Sequence, residues 1–124
     1  MTDDRDEPVT FRSSNTIIYC RNWDATVAFY RDILGLRGNN LSEWLVEFRI
    51  TPGAAISIAD DRRTTIRSRG GQGITVSIAV DNVDRARDTM IARGGAPEEI
   101  RSVWGSRAFF IFDPEGTRLE FWGH

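Results

Sequence analysis

The chain has 124 residues, of which 40% are apolar and 27% charged, with a formal net charge of −2. That length allows one domain with a real core, and the apolar share excludes a disordered chain. The charge balance gives no field for nucleic acid, and no run approaches the roughly 18 apolar residues of a membrane-spanning helix.

Residues 1–13 open with Asp3, Asp4, Asp6 and Glu7 and lack the apolar core of a signal peptide. They read as a flexible tail on a cytoplasmic protein. The single cysteine, Cys20, has no second cysteine to pair with, in keeping with a reducing compartment.

From residue 14 the chain reads twice. "NTIIYCRNWDATVAFYRDILG" and "TVSIAVDNVDRARDTMIARGG" match at an offset of sixty: Ile18 on Ile78, Asn22 on Asn82, Asp24 on Asp84, Gly35 on Gly95. Each copy opens with a strand-like run of β-branched residues. Asn-apolar-Asp then predicts a helix start, with Asn as cap and Asp near the positive end of the helix dipole. The stripes Val27, Tyr30, Leu34 and Val83, Ala86, Met90 have helical spacing, and Gly35 and Gly95 suit the stops.

The rest of each copy predicts strands. Trp44, Val46, Phe48 and Ile50 alternate with Leu45, Glu47 and Arg49, and Ala55–Ala59 follows the turn Thr51–Ala54. In the second copy Val103–Phe112 and Thr117–Trp122 flank the turn Asp113–Gly116. The expected organisation is α+β: two tandem β-α-β-β-β modules over residues 14–59 and 74–124. Residues 60–73 form a polar, glycine-rich linker or mobile loop carrying Arg62, Arg63, Arg67 and Arg69.

Strand alternation separates two faces. Val76, Ile78 and Val80, like Ile56 and Ile58, are the helix-packing sets. Thr75, Ser77 and Ala79, like Ala55, Ser57 and Ala59, leave a thinly furnished face, which is the default ligand cleft. Cys20 shares parity with Ile18 and is expected to be a buried, inert thiol.

"NWDATVAFYRDILGL", "VDNVDRARDTMIARGG" and "WGSRAFFIFDPEGTRLEFW" together resemble the vicinal oxygen chelate superfamily, the glyoxalase/bleomycin-resistance/dioxygenase group. The likeness covers residues 14–122 in order and spacing. It implies curved mixed sheets around a cleft, a homodimer, and clefts that combine modules from one chain or two. Many members hold a divalent metal through four strand positions, which here fall on Asn15, Ser57, Thr75 and Glu120. Only Glu120 is a typical ligand type, whereas a catalytic transition metal needs about three good donors.

The expectation is therefore a small-molecule-binding protein without a catalytic metal or other cofactor. Its ligand-binding candidates are Asn15, Tyr19, Ser57, Thr75, Ser77, Arg107, Glu120 and Trp122. Arg107 would meet a carboxylate or phosphate, or form a surface ion pair, and the aromatic residues would stack on planar ligands. Trp44 and Trp104 serve either that purpose or packing. Glu120 bonds to Asn15 or Thr75, pairs with Arg118 or Arg107, or acts as a general acid or base. The alternatives are a lyase, isomerase or dioxygenase with an atypical metal site, and a non-catalytic dimerising module. His124, the only histidine, is the last residue and is expected to be frayed unless it swings in to the cleft.

Overall fold

The computed structural model describes residues 3–124. Two four-stranded mixed sheets each carry one helix. The first module contains β1 (Ser14–Cys20), α1 (Trp23–Ala28), β2 (Gly38–Ser42), β3 (Leu45–Thr51) and β4 (Ala54–Asp60). The second contains β5 (Thr75–Ala79), α2 (Val83–Ala92), β6 (Arg101–Val103), β7 (Ser106–Phe112) and β8 (Arg118–Gly123). The strand orders are β1-β4-β3-β2 and β5-β8-β7-β6, with β1 parallel to β4 and β5 parallel to β8. The fold is α+β, and the two sheets are copies of one design.

Alternation fixes which face packs. In β8, Leu119, Phe121 and Gly123 are buried while Glu120 and Trp122 are half-buried. In β4, Ile56 and Ile58 pack toward the helix, and the small residues between them are covered as well because the strand is central. Helix-facing side chains of both modules merge into one core that includes Phe48, Ile58, Phe109 and Leu119. Burying each such side chain contributes about 1.5–3 kcal/mol.

The two helices start differently. Asn82 caps α2 as its sequence predicts, its side chain accepting from Arg85 N at 3.0 Å. Asn22 makes no such side-chain bond at α1. There the carboxylate of Glu115, from the second module, accepts from Arg21 N at 3.0 Å and Asn22 N at 2.8 Å. A carboxylate at the positive end of the helix replaces the local cap. After Ala28 the helix widens into a π-helical turn, Phe29–Ile33. That shifts the phase, so Thr26, Phe29 and Tyr30 are the buried set, and Val27 and Leu34 only pack against it.

Three strand boundaries differ from the sequence pattern. Trp44 lies in the turn before β3. The exposed strand β2, "GNNLS", carries no apolar alternation because neither of its faces is covered. Val103–Phe112 is not one strand but a hairpin, turning at Trp104 and Gly105 with φ of 54° and 79°. Two-residue hairpins demand positive φ, which glycine accepts easily and tryptophan does not.

The connection through residues 60–73 is more than a tether. It opens with a 3-10 turn, Asp61–Arg63. The Asp61 carboxylate accepts from Ser68 N at 3.0 Å, and the Ser68 hydroxyl donates to Glu115. The loop, the last turn of the second module and the start of α1 therefore share one polar knot. Gly116 (φ 100°) lies so close that a Cβ would approach the Gly70 carbonyl oxygen to 2.6 Å.

Candidate functional site

The open face of the second sheet is laid out in rows by strand register. Ser77, Glu120 and Phe110 form one row, Ala79, Trp122 and Ala108 the next, and Thr75, Arg118 and Phe112 the third. Glu120 Oε1 accepts the Ser77 hydroxyl at 2.6 Å. Trp122 stands two residues along the same face, half-buried between its register partners Ala79 and Ala108. A cavity of about 290 Å³ joins Glu120, Ser77 and Trp122 to Ser106 and Trp104. Trp104 is 99% exposed at its rim. The His124 ring meets the Trp122 ring edge-on, with centroids 5.8 Å apart.

Glu120's partner is thus Ser77, and not Asn15, Thr75, Arg118 or Arg107. The reason is register: Ser77 is directly opposite, whereas Thr75 is opposite Arg118 and accepts its Nε at 2.8 Å. Arg118 also lies over the Phe110 ring at 4.5 Å. Arg107 falls outside the site. It has the parity of Phe109, points to the helix side and forms a two-pronged bond with Asp84 of α2 at 2.6 and 3.0 Å. Of the two expectations for Arg107, a ligand contact and a surface ion pair, this geometry is the ion pair.

The first sheet repeats the arrangement with different residues. The Ser57 hydroxyl donates to Asn15 Oδ1 at 2.9 Å. Ile17, Ser57 and Glu47 form one row, and Tyr19, Ala59 and Leu45 another. Tyr19 lines a cavity of about 290 Å³ with Trp44, Leu45 and Arg63–Ile66 of the connecting loop. Glu47 is a site-face acid that the sequence pattern left unused. Its signal was there, since it alternates with Val46 and Phe48. Glu47 accepts from Arg49 on the same face at 3.0 Å.

The four family-equivalent positions therefore fall into two halves. Asn15 and Ser57 bond to each other on one sheet, and Thr75 and Glu120 lie on the other, bonded to Arg118 and Ser77. Among the described residues no group of three His, Cys, Asp or Glu is placed to hold a metal ion. One carboxylate with an amide and two hydroxyls does not meet the three-donor requirement of a catalytic transition metal.

A second titratable cluster supports the fold. Asp113 Oδ1 accepts from Glu115 N and Thr117 N, both at 2.9 Å, and Oδ2 accepts the Tyr30 hydroxyl at 2.8 Å. Burial raises the Asp113 carboxyl pKa despite these bonds. Burial, and then the Asp113 charge, raises the Tyr30 phenol. Cys20 is buried, and desolvation followed by the charges of Glu115 and Asp113 pushes its thiol upward. It is therefore held as an unreactive thiol.

Fold and site together define a two-module α+β protein with a small-molecule-sized, aromatic and carboxylate-bearing cavity on an open sheet face. The family model Glyoxalase/Bleomycin resistance protein/Dioxygenase superfamily matches residues 12–121, and the chain belongs to that superfamily. No curated protein is a significant match. A lactoylglutathione lyase structure from Agrobacterium tumefaciens is 26% identical, covering 94% of each chain with a TM-score of 0.72. A glyoxalase/bleomycin resistance protein/dioxygenase from Nocardioides is 18% identical, covering 95% of this chain and 86% of its own, with a TM-score of 0.77. An oxidase is 22% identical over 94% of this chain and 95% of its own, at a TM-score of 0.64. Among the described residues no helix is long and apolar enough to cross a membrane.

Proposed function

We propose that this protein binds a small organic ligand on the open face of its second sheet without a resident metal. The observation that carries this is the pairing of a half-buried indole, Trp122, with a carboxylate fixed by Ser77, both lining one cavity. The indole supplies contact area at low entropic cost, and the carboxylate selects a donor or cation on the ligand. Asn15, Tyr19 and Ser57 present a second polar and aromatic half on the other sheet. A homodimer that sets one copy's first sheet against its partner's second would unite the halves. A buried, free Cys20 supports a cytoplasmic setting.

The second reading is acid-base catalysis by Glu120. Its support is that Oε1 is engaged by Ser77 while Oε2 has no bond among the described residues, leaving one oxygen for a substrate proton.

Elemental analysis of purified protein tests the metal-free proposal: stoichiometric Zn, Ni, Fe or Mn that disappears in Glu120→Ala overturns it. A thermal-shift screen of planar antibiotics and aromatic acids then tests binding. A stabilising compound whose effect is lost in Trp122→Ala supports the site, and no stabilising compound at all favours a non-catalytic dimerising module. Turnover of a bound compound that stops in Glu120→Gln while binding persists selects the catalytic reading.

A further inference from the structure

On the helix side, where the two modules meet, the protein holds a separate cavity of about 570 Å³. Its apolar walls come from both modules: Leu34, Leu36 and Ile50 from the first, Ile78, Met90 and Phe121 from the second. Ile78 and Phe121 are register partners on the helix-facing side of β5 and β8. The cavity shares no lining residue with the one around Glu120.

One edge is cationic. Arg85, Thr89 and Arg93 line it at four-residue spacing, so α2 presents them in a single stripe. Arg93 is held in place. Its Nη1 donates to the Ile33 carbonyl at 3.3 Å, and its guanidinium lies over Gly35. A Cβ at Gly35 would come within 2.4 Å of that nitrogen, so the glycine leaves the space the guanidinium occupies. Among the described residues neither Arg85 nor Arg93 forms an ion pair. The only carboxylate on the lining is Asp81, before the start of α2.

Ligand pockets of about 300–1,000 Å³ are mostly apolar with a few converging polar groups, and this cavity has that make-up. A guanidinium that pairs with no protein carboxylate is matched by a ligand carboxylate, which it binds with two parallel hydrogen bonds. The geometry points to a binding site for a small amphipathic anion, with its apolar body between the modules and its carboxylate head on the Arg85–Arg93 edge. Since both modules supply the walls, an occupant ties them together and raises the unfolding temperature.

Titration with submicellar decanoate, followed by calorimetry and thermal shift, tests this, with decanol as the neutral control. The expected result is saturable decanoate binding that decanol does not reproduce. Binding should weaken at least about tenfold in the Arg85→Gln/Arg93→Gln double variant, as loss of charge-assisted bonds dictates. It should disappear when Ala86→Trp fills the cavity, and persist in Trp122→Ala. Equal affinity for decanol, full affinity in the arginine double variant, or loss in Trp122→Ala overturns the proposal. So does an absence of saturable binding, the outcome expected if a second copy covers the cavity.

Discussion

Tyr30 and Asp113 lie 83 positions apart in the chain, yet the phenol of one donates to the carboxylate of the other at 2.8 Å in the buried seam between the modules. Tyr30→Phe keeps the ring and its stacking on Phe48, whose centroid is 5.8 Å away. It removes only the donor. The expected loss is about 1–3 kcal/mol, the cost of leaving a buried acceptor short of a partner. Urea unfolding should show a lower midpoint with an unchanged slope.

The same carboxyl predicts a pH dependence. Burial holds the Asp113 pKa above the ordinary carboxylate value, so the native state keeps its proton to higher pH than the unfolded chain does. Its contribution is full below the unfolded value of about 4 and is lost as pH rises through the native value. Asp113→Asn does not titrate. The stability of the wild type minus that of Asp113→Asn should therefore fall as pH rises from about 4, then level off. A difference that instead grows with pH across that window means the carboxyl is held below its ordinary value.

Glu115 is the acceptor on which α1, the loop and the last turn converge. Its side chain is 3% exposed and receives Arg21 N, Asn22 N and the Ser68 hydroxyl. Glu115→Ala should cost about 2–4 kcal/mol, because several donors lose a charged partner at once. Glu115→Gln keeps one acceptor oxygen and should lose less. Hydrogen exchange should speed up first at the amides of Arg21 and Asn22.

Trp104 combines full exposure with a φ of 54°. Trp104→Asn or Trp104→Gly should stabilise the unliganded protein by about 0.5–1 kcal/mol through relief of that backbone strain. If the indole serves the Glu120 cavity, the same change weakens ligand binding. Thermal unfolding with and without a compound from the screen reads both effects.

Arg107→Ala should leave binding at the Glu120 cavity unchanged, since Arg107 is engaged with Asp84 on the other side of the sheet. Any stability change should shrink as salt rises, as for an exposed ion pair. A large loss of binding would mean that the arginine leaves Asp84 to meet the ligand.

Much of the architecture was legible in the sequence. The repeat, strand parity and the Asn82 cap depend on neighbours close in the chain, and the structure follows them in β4, α2 and β8. The misreadings share a cause. Asn22 lost its cap role to Glu115, the π-helical turn moved the buried face of α1, and one strand became a hairpin at Trp104–Gly105. Each outcome was decided by a partner or a turn geometry that residue type does not encode.

The site divides the same way. Sequence by itself determined that Glu120 is the only strong ligand type among the four repeat-related positions, and that Trp122 shares its face. The four positions follow from the family resemblance, and the shared face of Trp122 follows because side chains alternate along a strand whatever surrounds it. Only the tertiary structure decided that Glu120 meets Ser77, that Arg107 belongs to α2 and that Glu47 joins the open face. It alone brought Arg93 over Gly35 beside a cavity walled by both modules. Those relationships depend on which strands lie side by side and how two cores merge, and the chain acquires them only by folding.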